Sequence, residues 1–191
     1  ADNPVETLDR SRGLSDDYVR TVLAARDGSM WIGTNQGLHR WQDGRLQTIQ
    51  LPWPPHQPST VFALGETDEC IWVGTALYGV LCVDKRTGRS RFRLGIAEGL
   101  PALHVRALAG DRRGGLWIGT VAGLAYRDAA GRISRPGAPA IGQDQVRSIH
   151  PAADGRTWIG IGDGLSVFER DGRLRRYDRG SQPAFPADNA F

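Results

Sequence analysis

The sequence predicts an all-β protein of four consecutive four-stranded antiparallel units, on the strength of a repeated tetrapeptide, evenly spread turn residues and the absence of helical spacing. Trp31-Ile32-Gly33-Thr34, Trp72-Val73-Gly74-Thr75, Trp117-Ile118-Gly119-Thr120 and Trp158-Ile159-Gly160-Ile161 recur at intervals of 41, 45 and 41 residues. Val19, Val61, Val105 and Val146 precede these anchors by eleven or twelve residues, and Gly37, Gly79, Gly123 and Gly164 follow by six or seven. The 25 Gly and 11 Pro of the 191 residues lie at intervals along the chain, so turns recur regularly.

In the first unit, the opening strand runs from Val19 to about Ala25, and Asp27-Gly28 turns it into a second strand from Met30 to Thr34. A short loop ending at Gly37 opens the third strand, Leu38 to Gln42, and Asp43-Gly44 turns into the fourth, Leu46 to Gln50. Gly-Arg pairs at 44–45, 88–89, 131–132 and 172–173 repeat that last turn. A four-stranded sheet with two apolar faces cannot shield both, so the units must stack. Repeats of this length with a recurring Trp match the blade of a β-propeller, in which radial packing buries both faces. A parallel β-helix uses a shorter repeat, and a leucine-rich repeat needs Leu and Asn ladders that are missing.

The expected division is a closing strand of a preceding blade plus connector (1–18), blade 1 (19–51), connector and blade 2 (52–95), connector and blade 3 (96–135), connector and blade 4 (136–178), and a connector into a truncated further blade (179–191). Glu6 to Arg10 reads as that closing strand. Two end faces then lack neighbours, and the expected partners are the remaining blades of a larger protein or a second copy. The repeated Trp31, Trp72, Trp117 and Trp158 are expected as packing anchors between blades. Gly37, Gly79, Gly123 and Gly164 are expected to supply positive φ angles.

Composition excludes several classes. A formal net charge of +3 comes from 24 Lys+Arg against 21 Asp+Glu, scattered without a basic block, which disfavours nucleic acid as a partner. No apolar run of about 18 residues is present to span a membrane. His39, His56, His104 and His150 occupy different repeat positions and build no ring of metal ligands, so no metal or cofactor is called for. No Ser and His pairing has a placed third partner, and no phosphate-cradling loop precedes a helix. Cys70 and Cys82 lie near each other on strands of one hairpin but not directly opposite, and two free, largely buried thiols are expected.

Gly99-Leu100-Pro101 leading to Val105, then Gly115-Leu116-Trp117-Ile118-Gly119-Thr120 and Gly123-Leu124, resembles the two-component regulator propeller repeat, and the resemblance runs through all four units. The Trp-Asp and Gly-His pairs of WD40 blades are absent. The resemblance implies that the chain is an excerpt of a seven-bladed extracytoplasmic sensor propeller. Such a propeller is anchored to the inner membrane and joined to a histidine kinase or diguanylate cyclase that lies outside this sequence. The segment itself reads as a non-catalytic ligand-sensing module; an architectural dimerisation module is the alternative, and a propeller-fold lyase or hydrolase ranks below both.

A ligand would sit where the repeats differ, on the face of the inter-blade connectors and the loops between second and third strands. Arg20, Arg106 and Arg147 share one position after the Val that opens the innermost strand, where blade 2 has Phe62. A partial ring of guanidinium groups there suits carboxylate or sulfate, and bracing of the neighbouring connector is the structural alternative. Trp53, held in the proline-rich connector 51–58, and Tyr78 in the next loop are candidates to stack on a sugar ring; Trp53 as a cover for the blade edge is the plainer reading.

Overall fold

Each blade is a meander whose spatial strand order is its order in sequence. The computed structural model describes residues 7–178 apart from 55, 139 and 163. Blade 1 comprises β1 (Val19–Ala24), β2 (Met30–Thr34), β3 (Leu38–Gln42) and β4 (Arg45–Ile49). Blade 2 comprises β5 (Val61–Glu66), β6 (Ile71–Thr75), β7 (Val80–Val83) and β8 (Ser90–Leu94). Blade 3 comprises β9 (Val105–Gly110), β10 (Leu116–Thr120), β11 (Gly123–Arg127) and β12 (Ile133–Ser134); blade 4 comprises β13 (Val146–Pro151), β14 (Thr157–Ile161), β15 (Gly164–Phe168) and β16 (Leu174–Asp178). The fold is an all-β propeller arrangement, with the first strand of each blade packed against the first strand of the next.

Local chemistry sets these boundaries. Asp43 and Gly44 both take positive φ, 51° and 72°, the geometry of a two-residue hairpin turn. So tight a turn leaves Arg45 already paired with Gln42, which is why β4 starts one residue before the expected Leu46. The Thr hydroxyls closing β2, β6 and β10 donate to the carbonyls of Gly37, Gly79 and Gly123 at 3.2, 3.0 and 2.9 Å, pinning the loop into each third strand. Gly79 (φ 70°) and Gly123 (φ 123°) bear out the positive-φ expectation, and Gly37 does not. At Gly37 a Cβ would meet Ser15 Oγ at 3.0 Å, and at Gly164 it would overlap the Tyr177 carbonyl.

The blades lock through a close approach. A Cβ added to Gly33, Gly74 or Gly119 would lie 2.5, 2.7 or 2.5 Å from Cγ1 of Val61, Val105 or Val146, the valine opening the following blade. Those three valines are fully buried. Val19, at the same position in blade 1, is 44% exposed, beside Tyr18 at 69% and Val22 at 62%. Trp31 and Trp72 are fully buried as expected, their indole N–H groups donating to Ser29 Oγ and Thr67 Oγ1. Trp117 and Trp158 are only half-buried. For Trp117 the cause is the two-residue β12, which covers less of blade 3 than β8 covers of blade 2.

Two expectations need correction or narrowing. The expected closing strand at Glu6–Arg10 is not seen where it can be checked: Glu6 lies outside the described residues, and Arg10–Arg12 forms one 3-10 turn capped by Asp9. The tail 179–191 also lies outside the described residues. Cys70 and Cys82 are joined in a disulfide, which overturns the expectation of free thiols. Trp72 pairs directly with Cys82, so Cys70 lies two residues off, on the same side of the sheet. At the strand end the Thr67 amide bonds the Cys70 carbonyl, and the two Cα atoms sit 5.4 Å apart, well within bridging range.

Closing so short a loop stabilises a fold by up to roughly 3 kcal/mol. The intact chain is therefore expected to weigh two hydrogen atoms less than its free-thiol mass until reductant is added, and reduction should lower its melting temperature. A mass that does not change on reduction would contradict the pairing.

Candidate functional site

The register of the innermost strands contains a repeated irregularity. Val19 pairs with Thr34 and Thr21 with Gly33, leaving Arg20 as an extra residue. Phe62, Arg106 and Arg147 are extra in the same way in β5, β9 and β13. All four blades thus carry a β-bulge at one position, a feature that bends a strand and re-aims the inserted side chain. The residue in the bulge is the one that varies, whereas the paired valine before it is the locking residue.

Three of the four bulge residues, Arg20, Phe62 and Arg106, meet at the Phe62 ring. The Arg20 and Arg106 guanidinium carbons lie 5.9 and 4.9 Å from the Phe62 ring centroid. His104, from the connector into blade 3, stacks on the same ring at 5.0 Å with planes 16° apart. Arg20 Nε donates to Asn35 Oδ1 at 2.7 Å and its guanidinium also lies 5.8 Å from the Tyr18 ring. Arg20 is exposed, whereas Arg106, Phe62 and His104 are half-buried, so cation–π attraction counts for more at Arg106 than at Arg20. Arg147 Nε and His104 Nε2 are buried without a hydrogen-bond partner among the described residues. Burial first, and the neighbouring Arg106 second, hold the His104 imidazole below its usual range.

Arg20 and Arg106 therefore both lie over Phe62, while no contact joins Arg147 to them among the described residues, so the three arginines expected together are not all brought to one place. Trp53 and Tyr78 do come together, stacked at 5.8 Å and 26°. Tyr78 donates its hydroxyl to the Gln57 carbonyl at 3.1 Å, and Trp53 packs on the core cluster containing Trp31 and Leu51. Each ring covers the other, and none of their hydrogen bonds or ring contacts reaches the arginines among the described residues. Trp53 therefore covers the blade edge, as the plainer reading had it. His104, Phe62 and Asn35 are the members of the cluster that sequence reasoning missed, because only the bulge brings them to the arginines.

Other reactive groupings are accounted for structurally. Ser15 Oγ lies 2.9 Å from His39 Nε2, but His39 is fully buried, and its Nδ1 faces Thr48 Oγ1 at 3.3 Å rather than a carboxylate. The pair fastens the connector to blade 1. Glu69 lies near Cys70 and Cys82, yet the sulfurs are bonded to each other and Glu69 pairs with Arg127 at 3.1 Å.

Burial also lowers His39, so both imidazoles bind protons more weakly in the folded chain than in the unfolded one. The sign follows: the unfolded state takes up more protons once pH drops to the ordinary imidazole value of about 6.5, so stability holds above that value and falls on acidification through it. Urea midpoints should be lower at about pH 5.5 than at about pH 8, with a smaller loss in His104→Gln. A flat profile over that window would contradict the burial of these rings.

The two component regulator propeller family matches residues 13–36 and 99–122, the connectors and first two strands of blades 1 and 3. No curated protein matches the chain. Among solved structures, it is similar to the extracellular domain of a putative hybrid two component system from B. thetaiotaomicron, with a TM-score of 0.75 and 23% identity over 87% of this chain and 24% of that one. The extracellular domain of a putative one component system from the same organism aligns with a TM-score of 0.68 and 22% identity, covering 83% of this chain and 22% of that one. Virginiamycin B lyase from Staphylococcus aureus aligns with a TM-score of 0.66 and 16% identity, covering 87% of this chain and 57% of that one. The chain spans about a quarter of the first two structures, and at these identities the likeness is one of fold. Among the described residues no helix is long and apolar enough to cross a membrane.

Proposed function

We propose that this arc of two component regulator propeller repeats is a non-catalytic recognition module in the extracytoplasmic input region of a bacterial signalling receptor, and that it reads an anionic ligand with its row of bulge residues. The observation that carries the reading is the repeated bulge itself. Four blades re-aim one residue each from the innermost strand, and around Phe62 the result is two guanidinium groups and a neutral imidazole. Among the described residues Arg147 Nε and His104 Nε2 lack a partner; the first is a donor, and the second is one in its Nε2–H tautomer, which a carboxylate or sulfate would select. The Cys70–Cys82 disulfide favours an oxidising compartment. Two of the similar solved structures are extracellular domains of signalling systems, which supports the same location. Anchoring to the inner membrane would then fall to other segments of the receptor.

A second reading, an architectural role, is favoured by the open face of β1. Tyr18, Val19 and Val22 present apolar surface where the other blades bury the equivalent valine. A further blade of the same receptor, or a second copy of this chain, is the partner that face would take. The two readings are compatible, since a receptor input domain can dimerise and bind.

A thermal-shift screen of acidic and neutral oligosaccharides and small carboxylic acids would supply the probe, because a specific binder raises the melting temperature. Removing one partner of a buried charge pair costs about 2 to 5 kcal/mol of binding, so Arg106→Ala should weaken an anionic hit at least about thirtyfold with little change in melting temperature. Lost stability with unchanged binding would instead assign Arg106 to bracing the connector.

A further inference from the structure

We propose that the cavity between blades 3 and 4, at the end of the blades opposite the connectors, is a second ligand site that takes a ring-shaped carboxylate of the hexuronic acid class. The cavity is an open cleft of about 610 Å³, enough for one or two sugar rings, and it is bordered by Trp117, Tyr126, Phe168 and the arginines 112, 113 and 170. It exists because blade 3 departs from blade 2. There, Cys82 faces Phe92, and Phe92 and Arg127 cover Trp72 completely. In blade 3 the matching pair is Tyr126 and Ser134, and β12 ends at that serine. The small side chain and short strand leave Trp117 only half-buried, with Tyr126 and Phe168 at ring distances of 4.7 and 5.3 Å.

Tyr126 is held to one side. Its hydroxyl donates to Asp111 Oδ2 at 2.8 Å, and it crosses Gly115 so closely that a Cβ there would overlap the phenol oxygen. Burial and that bond push its ionisation up to about 12, so it stays neutral. Apolar ring faces of this kind are suited to the C–H face of a sugar.

The charges around the cavity do not cancel. Asp111 accepts from Tyr126 and from the amides of Arg113 and Gly115, and Glu169 lies 3.7 Å from Arg175. Arg26 is taken by Asp68 at 2.6 Å and Arg156 by Asp154 at 2.7 Å. Arg112, Arg113 and Arg170 form no ion pair among the described residues. Three solvent-exposed guanidinium groups without an ion-pair partner, beside a half-buried indole, suit one ligand that carries a ring face and a carboxylate together.

The experiment is calorimetric titration of the chain with digalacturonate, with a neutral disaccharide of equal size, with benzoate and with the acyclic diacid malate. Digalacturonate should bind at least tenfold more tightly than each of the other three. Arg170→Glu should weaken it at least tenfold, as should Ala153→Phe, which narrows the mouth from the exposed Ala152–Gly155 turn, both without loss of melting temperature. Arg86→Ala, at an exposed arginine of the Asp84 turn that belongs to neither site, should leave this binding untouched. Benzoate or malate binding as tightly as digalacturonate would overturn the sugar assignment. Failure of all four to bind, or binding that ignores both cavity variants, would overturn the site.

Discussion

The contact on which the rest of this structure depends is the seating of one valine methyl against a bare glycine in the preceding blade. Val61, Val105 and Val146 each occupy space that a Cβ on Gly33, Gly74 or Gly119 would need. The glycine in the repeated Trp-x-Gly-Thr unit is therefore a statement about the distance between sheets. With the sheets that close, Trp31 packs among residues of both blade 1 and blade 2, and Trp72 is capped by Arg127 of blade 3. The valine is also the last regularly paired residue before the bulge, so the lock between blades fixes the point from which the bulge residue departs.

This arrangement explains where the blades are free to differ. The locking valine, the glycine and the tryptophan are repeated because each must satisfy a neighbour. The bulge residue satisfies none in the ladder, and it changes from Arg20 to Phe62 to Arg106 and Arg147. The outer strand varies in length as well, from five residues in β8 to two in β12. Binding chemistry can be placed at both positions without disturbing the lock.

Much of this was legible in the sequence, and the missing parts share a physical reason. Strand positions followed from turn residues and repeat spacing: β2 and β3 fall where expected, and β4 is displaced by the single residue that the Asp43-Gly44 turn absorbs. The position of Arg20, Arg106 and Arg147 was also visible, as a shared place in the repeat. The bulge was not, because an inserted residue is a property of two strands in register and one strand alone does not display it. The Cys70–Cys82 bridge was missed for a related reason: a diagonal pair becomes close only where the strand end turns. The partial exposure of Trp117 depends on the length of β12, two strands away from the repeated tetrapeptide in β10.

The most direct test of the valine lock is a double-mutant cycle on Gly74 and Val105, read by urea denaturation. A Cβ at residue 74 would stand 2.7 Å from Val105 Cγ1 and no nearer than 3.2 Å to any other atom. Overpacking of this kind costs about 1 to 3 kcal/mol, so Gly74→Ala should destabilise the chain by that amount. Val105→Ala alone should also destabilise it, by emptying a fully buried site. The account predicts that the double variant is more stable than the sum of the two losses implies, by at least about 0.5 kcal/mol, because removing the methyl makes room for the new Cβ. Strictly additive losses would show that the two residues do not share one space, and would contradict the lock.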